Sequence, residues 1–329
     1  MTMRHSLRPL LPALLITAML SFPAMAFDVE VDPDSPAYTR VEGVGGRITS
    51  EGSDTLLNMM TFWSEGFRRH YPNVQIAIQG KGSSTAPTAL TAGIAQIGPM
   101  SREMKPSEIE AFEARYGFPP TPIAVAIDSL AVFVHKDNPI ESINLPQVDA
   151  IFSSTRIGGY PRDIRTWGDL GLTGTWAGLP LSLYGRNSVS GTYGYFKEKA
   201  LFDGDFKDAV KEQPGSASVV MGISEDIAGV GYSGIGYTTS GVRTVPLAKS
   251  EGEPAYEATP ENILGGNYPL SRLLYVYIVK DPNEPLDTVT QEFLKYILSA
   301  EGQQDVIKDG YMPLPAAIIT RERAKFMSE

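Results

Sequence analysis

Three short loops rich in serine, threonine and glycine hold the residues of this chain that are best suited to bind a ligand. Each loop stands directly before a predicted helix with apolar residues at helical spacing. The start of a helix has unpaired backbone N–H groups and a partial positive charge, so it attracts anions. The same residue types are also ordinary helix N-caps, which explains any single loop without a ligand. The loops run from Gly52 to Thr55, from Gly82 to Thr85 and from Arg186 to Thr192.

Together the three loops predict a pocket that surrounds a small tetrahedral oxyanion. Arg186 opens the third loop, and a guanidinium makes charge-assisted hydrogen bonds to such anions. Each loop also follows a predicted strand. Ligands of α/β sheets bind outside the carboxyl ends of the strands, where all three loops are expected to lie.

Catalytic chemistry has little support in the sequence. His70 stands at a predicted helix end and His135 in a predicted strand, and neither has acids grouped around it as a metal site requires. Glycine-rich segments lack the spacing of a dinucleotide fingerprint, a Walker loop or a nucleophile elbow. These segments are 43–46, 79–83 and 231–235. We therefore predict a binding protein with no catalytic residues, no metal and no cofactor.

The amino terminus predicts export. Arg4 and Arg8 precede the apolar run 10–20, and Ala24 to Ala26 fits the small-residue rule for signal peptidase. The chain has no cysteine, which excludes a lipid anchor at this site and disulfide bonds elsewhere. We expect cleavage after Ala26 and a periplasmic product, with secretion from the cell as an alternative.

The composition excludes some partners. The formal net charge is -10, and an acidic surface argues against nucleic acid or anionic lipid, because both require a basic surface. It does not argue against a small anion, since local dipoles govern a buried site. A chain of 329 residues, 42% of them hydrophobic, is long enough to bury a core without disulfides.

Alternating strands and helices predict an α/β fold with mostly parallel or mixed sheets. The apolar runs 122–136 and 272–280 are long enough to pass between two lobes, which predicts hinges near Ser129 and Ser271 and a ligand in the cleft. The predicted division is a signal peptide (1–26), a flexible leader (27–45), lobe 1 (46–130 and 271–329) and lobe 2 (131–270).

The loops occur in order with further segments that together resemble a known family. These segments are 229–232, 298–303 and 310–314. From about Gly46 to Pro315 the chain resembles the phosphate-binding component of phosphate ABC importers, the PstS-like family. The resemblance implies a two-lobed periplasmic binding protein of type II, with mixed sheets flanked by helices and a two-strand hinge. It also implies a monomer that captures inorganic phosphate and delivers it to membrane permease subunits of an ABC transporter.

The resemblance implies a set of ligand-binding residues. Residues of the first two loops would donate hydroxyl and backbone N–H groups, Arg186 would give a charge-assisted bond, and the third helix start would donate further N–H groups. The full predicted set is Ser53, Asp54, Thr55, Ser83, Ser84, Ser101, Arg102, Arg186, Ser190, Gly191 and Thr192.

Two positions depart from the family pattern. Ser101 stands where the family has an aspartate that accepts the proton of hydrogen phosphate and so rejects sulfate, and Ser188 stands where an acid often pairs with the arginine. Asp54 either replaces the missing acceptor or caps a helix. Arg102 either adds a second positive charge or lies at the mouth of the cleft. Sulfate or molybdate binding, an exported phosphatase and an adhesion protein are the alternative functions.

Overall fold

A computed structural model of the protein describes residues 29–327. The predicted signal peptide lies outside the described residues. The strands are β1 Arg47–Gly52, β2 Gln75–Gly80, β3 Ile97–Met100, β4 Thr121–His135, β5 Ile143–Asn144, β6 Ser182–Arg186, β7 Lys211–Gln213, β8 Gly229–Gly234, β9 Val242–Thr244, β10 Leu247–Ala248 and β11 Ser271–Ile278. The helices are α1 Leu57–His70, α2 Thr85–Thr91, α3 Pro106–Tyr116, α4 Leu145–Phe152, α5 Gly191–Ala200, α6 Ser216–Ser224, α7 Pro260–Leu264, α8 Thr288–Ile297, α9 Ala300–Lys308 and α10 Ala316–Ala324.

The fold is α/β with a mixed sheet, as predicted. Its strands are ordered β2-β1-β3-β11-β4-β8-β6-β7, with β9 also paired to β4, and a second, two-stranded sheet joins β10 to β5. Strands β1, β2 and β3 pair in parallel, as do β6, β7 and β8, whereas β11 is antiparallel to both β3 and β4. The apolar run 122–136 forms one long strand, β4.

Strand β4 belongs to both halves of the sheet. Its first part pairs with β11 and its second part with β8, and the change of partner falls between Ser129 and Leu130. Ser129 lies opposite Ser271, and their hydroxyl oxygens are 3.0 Å apart. The predicted hinges are therefore neighbours in space, and the division into moving lobes stays a prediction.

Two large apolar cores lie on either side of this crossing point. One is built around α1, α8 and the first part of β4, with Trp63 and Phe67 fully buried at its centre. The other is built around α4, α5 and β8, and Phe196 stacks there on Tyr232 with ring centroids 3.8 Å apart. Each half of the sheet thus has its own core, which leaves the crossing strands as the connection between them.

The segment before β1 has no regular secondary structure, but it is anchored. The Tyr38 hydroxyl donates to Glu292 at 2.9 Å and lies 2.9 Å from the Tyr71 hydroxyl, and Ala300 donates its N–H to the Pro36 carbonyl at 2.8 Å. These contacts argue against the predicted flexible leader for residues 29–45. The physical reason is that a composition rich in Pro and Asp predicts flexibility, whereas one buried tyrosine, Tyr38, holds the segment to lobe 1.

Candidate functional site

The three predicted loops converge where the two halves of the sheet meet. The first and second follow β1 and β2, and the third follows β6, so each lies at the carboxyl end of a strand. The Thr55 and Thr192 hydroxyl oxygens are 3.1 Å apart, and Ser84 donates its N–H to the Val189 carbonyl at 3.2 Å. The structure therefore brings lobe 1 and lobe 2 into direct contact at these loops.

A group of buried hydroxyls forms the centre of the site, and we call it the hydroxyl cluster. Ser53 donates to the Ser101 hydroxyl at 3.1 Å, and the Ser83 and Ser101 hydroxyl oxygens are 3.2 Å apart. The side chains come from loops far apart in sequence, and none is more than 3% exposed. The cluster consists of Ser53, Thr55, Ser83, Ser101 and Thr192.

Gly191 allows the third loop to approach this cluster. A Cβ atom on Gly191 would lie 2.3 Å from the Ser83 hydroxyl oxygen and 2.5 Å from that of Ser101, which is closer than real Cβ atoms approach oxygen. Glycine is used where a backbone must come close to other groups. The backbone at the start of α5 thus reaches the hydroxyls of lobe 1.

Serine side chains fix the starts of the helices around the site. The Ser190 hydroxyl accepts N–H bonds from Thr192 at 3.1 Å and Tyr193 at 3.4 Å, so it caps α5 and its own O–H proton stays free to donate. The Ser53 hydroxyl likewise accepts the N–H of Thr55 at 3.1 Å. The Ser190 cap stabilises α5, and both hydrogen bonds order the backbone N–H groups and hydroxyls at the site.

Arg186 lies buried at the end of β6, as the sequence predicts. Its Nη1 donates to the Ser216 hydroxyl at 2.6 Å, and its Nη2 donates to the Pro214 carbonyl at 3.1 Å. The Nε has no partner in the structure. Burial lowers the pKa of Arg186 and the charge of Asp54 opposes that shift, and an arginine in this state stays protonated.

Asp54 pairs with this arginine across the two lobes. Its Oδ2 lies 3.3 Å from Arg186 Nη1 and accepts the Ser216 N–H at 3.0 Å. The N-cap of α1 is Leu56, with no side-chain bond, so the interpretation of Asp54 as a helix cap is wrong. Asp54 instead pairs with Arg186, the role that the resemblance implies for an acid at position 188.

Two predicted residues lie beside the cluster rather than in it. Arg102 pairs with Glu108 at 2.7 Å, and the Ser84 hydroxyl accepts from Arg102 Nη2 at 3.1 Å. Burial alone would raise the pKa of Glu108, but the hydrogen bonds and charges of Arg102 and Lys105 lower it. Arg102 borders an interlobe cavity of about 950 Å³, which favours its placement at the mouth of the cleft.

Sequence reasoning missed three buried residues at the site, namely Arg272, Asp128 and Ser216. Arg272, on β11, donates from Nη2 to the Thr192 hydroxyl at 3.0 Å and to Asp128 Oδ2 at 2.7 Å. Ser216 starts α6 and contacts both Arg186 and Asp54. Arg272 opens the second apolar run, and a charge at the start of a buried strand is the signal that could have identified it.

The arrangement can bind an anion through many buried hydrogen-bond donors. It combines hydroxyls, helix-start N–H groups and two buried guanidiniums, each paired with one carboxylate. Among residues 29–327 no group of three or more His, Cys, Asp or Glu side chains is placed to hold a metal ion. Within the same range, no helix is both long and apolar enough to cross a bilayer.

Comparison with known proteins shows the family of the chain. A family model described as a PBP superfamily domain matches residues 36–301. The phosphate-binding protein PstS of Pseudomonas aeruginosa is 60% identical over 288 residues, covering 88% of this chain and 89% of that protein. The chain belongs to the PstS family.

Solved structures of phosphate transport proteins have the same fold. A phosphate ABC transporter substrate-binding protein from Clostridium perfringens, solved with bound phosphate, is 27% identical, with a TM-score of 0.69, covering 82% of this chain and 100% of that one. A phosphate transport receptor from Vibrio cholerae, 22% identical, shares the fold alone, with a TM-score of 0.62 over 81% of this chain and 100% of that one. The fold is that of a type II periplasmic binding protein.

Proposed function

We propose that this protein captures inorganic phosphate between its two lobes and delivers it to the membrane subunits of an ABC importer. The observation that carries the proposal is the convergence of the hydroxyl cluster with Arg186, whose buried Nε has no partner. A buried donor without a partner is costly, and an anion in the site would satisfy it. The family relationship supplies phosphate as the anion, and PstS proteins bind it without catalysis.

We propose different roles for the members of the predicted ligand set. Ser53, Thr55, Ser83, Ser101 and Thr192 give hydroxyls, Ser190 and Gly191 shape the start of α5, and Arg186 gives the charge. Ser84 and Arg102 act at the mouth of the cleft. This assignment is part of the proposal.

Asp54 supplies the selectivity in this proposal. Hydrogen phosphate carries a proton that it can donate to a carboxylate, whereas sulfate has none and would face the carboxylate as a like charge. Oδ2 of Asp54 is occupied by Ser216 and Arg186, which leaves Oδ1 as the acceptor.

Titration calorimetry of the purified mature protein tests the function. Phosphate, sulfate and molybdate are titrated separately at neutral pH. We expect saturable 1:1 binding of phosphate at least about tenfold tighter than that of the other two anions, a difference of about 1.4 kcal/mol. Tighter binding of sulfate or molybdate would overturn phosphate as the ligand.

The location and the oligomeric state belong to the same proposal. We infer export to the periplasm with cleavage after Ala26, and a monomer that docks on permease subunits. Mass spectrometry of the periplasmic fraction should find Phe27 at the amino terminus. An intact leader in the cytosol contradicts the proposed export.

A further inference from the structure

A second buried arginine lies next to the hydroxyl cluster on a crossing strand. Arg272 stands opposite Asp128 in the antiparallel pair of β11 and β4, one residue from the predicted hinge. Its side chain is 3% exposed, and that of Asp128 is 0% exposed. Buried arginines are held by partners that match their donors, so the partners of each nitrogen show what this residue can bind.

One edge of the Arg272 guanidinium is filled and the other is open. Nε and Nη2 donate to Asp128 Oδ2 at 2.9 and 2.7 Å, and Nη2 also donates to the Thr192 hydroxyl at 3.0 Å. Nη1, which belongs to the other edge, is buried and has no partner. The guanidinium carbon lies over the ring of Tyr195, 5.2 Å from the ring centroid.

The open edge lies beside residues of the anion site. The Thr192 hydroxyl that Arg272 contacts is the one 3.1 Å from the Thr55 hydroxyl. Arg186, the predicted ligand, has the same pattern of a carboxylate partner and one unpartnered buried N–H group. Two such donors around one cluster match a dianion better than one does.

We propose that Arg272 is a second anion-binding residue of this site, donating from Nη1 to the bound phosphate, with Asp128 as its positioning residue. The inference rests on the proposed function and adds a ligand contact to it. Because Arg272 belongs to the crossing strand and also contacts Thr192 of lobe 2, it ties the bound anion to the hinge. Phosphate binding and closure of the lobes then both depend on the Arg272 side chain.

The test compares Arg272→Gln with the double variant Asp128→Asn/Arg272→Gln. The single variant leaves a buried carboxylate unpaired, whereas the double variant replaces an ion pair by two neutral amides of similar shape. Phosphate affinity is measured by calorimetry. Thermal stability is measured separately by unfolding each variant without phosphate. Arg165→Gln, which removes an exposed charge paired with Asp163, is the net-charge control for the single variant, because the double variant keeps the wild-type net charge.

We expect the double variant to unfold near the wild-type temperature and to bind phosphate about 30-fold more weakly, because it lacks one charge-assisted hydrogen bond. Arg165→Gln should bind within about twofold of wild type. Wild-type affinity in the double variant would show that the pair is structural only and overturn the inference. If wild-type protein itself does not bind phosphate, the proposed function fails instead.

Two further variants complete the test. If the double variant does not unfold cooperatively, Arg272→Lys is used, since it keeps the charge but loses the planar fork; a loss of at least about fivefold supports the inference and wild-type affinity contradicts it. Asp128→Asn should weaken phosphate binding when residue 272 is arginine and have no effect when it is glutamine. An equal effect in both backgrounds contradicts the positioning role.

Discussion

At the residue scale, the charged groups of the site are held in position by their hydrogen-bond and ion-pair partners. Arg186 is fixed by Asp54, Ser216 and the Pro214 carbonyl, which leaves little freedom to its guanidinium before any ligand binds. Such preorganisation lowers the entropic cost of binding. In the proposed function, this charged pair therefore contributes to both the position of the bound anion and its affinity.

Arg186→Ala should weaken phosphate binding more than the loss of any single hydroxyl. Removing the arginine leaves both the anion and the partly buried Asp54 without a counter-charge, at a cost of about 3 kcal/mol or more, whereas Thr192→Ala should cost about 1–2 kcal/mol. Calorimetry of both variants checks the order. Equal affinities for wild type and Arg186→Ala would place the site elsewhere.

Asp54→Asn should reduce the preference for phosphate over sulfate by about tenfold or more, which corresponds to about 1.4 kcal/mol. An amide offers a donor to sulfate and no negative charge, while it accepts the phosphate proton less strongly. Competition calorimetry with both anions measures the ratio. Should the ratio stay at its wild-type value, Asp54 serves only to hold Arg186 and Ser216 in place.

At the scale of elements, the start of α5 has no room for a side chain at Gly191. Gly191→Ala would place Cβ within 2.3 Å of the Ser83 hydroxyl, so the closed arrangement of the loops would be lost. A Cβ on Gly194, one turn later, would meet only the flexible Arg102 side chain, with Cδ at 3.4 Å and Nε at 3.9 Å. Both substitutions raise helix propensity, so they form a matched pair.

We expect Gly191→Ala to weaken phosphate binding by at least about tenfold, or about 1.4 kcal/mol, and Gly194→Ala to stay within about threefold of wild type. Thermal unfolding without phosphate should be similar for the two. Equal phosphate affinities in the two variants would mean that the loops do not need this close approach.

Asp309, at the end of α9, is expected to make the stability of the fold depend on pH. Burial raises the pKa of Asp309 to about 7, and its Oδ2 is buried with no partner. The neutral form is favoured in the folded state, so its stabilisation is fully present below the unfolded value of 3.8 and is lost as the pH rises through about 7.

Asp309→Asn should therefore flatten the dependence of thermal stability on pH between 5 and 8 (a range of about three units) and raise the unfolding temperature at the upper end. Unfolding of wild type and variant is followed by circular dichroism at both ends of the range. A variant that is less stable than wild type at the upper pH would show that the ionised carboxylate stabilises the fold.

At the scale of the whole molecule, two lobes with separate cores meet through a pair of strands. Direct contacts between the lobes, such as Thr55 with Thr192 and Ser84 with Val189, describe a closed arrangement. Proteins of this kind close on their ligand by hinge movement. Small-angle scattering should show a smaller radius of gyration after addition of phosphate and no change after addition of sulfate. An unchanged profile with saturating phosphate counts against a ligand between the lobes.

Local patterns in the sequence determined much of this architecture. The helix starts at the three loops, the long apolar strands 121–135 and 271–278 and the hydroxyl residues of the cluster were all recognisable, because periodicity, capping and turn chemistry depend on nearby residues. Composition misled only at the segment before β1, where one buried tyrosine outweighs many polar neighbours.

Only the tertiary structure decided which charges meet. Asp54 pairs with Arg186 and accepts the Ser216 N–H. Arg272 pairs with Asp128, and Arg102 pairs with Glu108. Nothing near Asp54 in the sequence distinguishes a helix cap from a carboxylate that crosses to the other lobe. Such pairings depend on the register of β4 and β11 and on how the lobes meet, and these follow from the packing of the whole chain rather than from any local pattern.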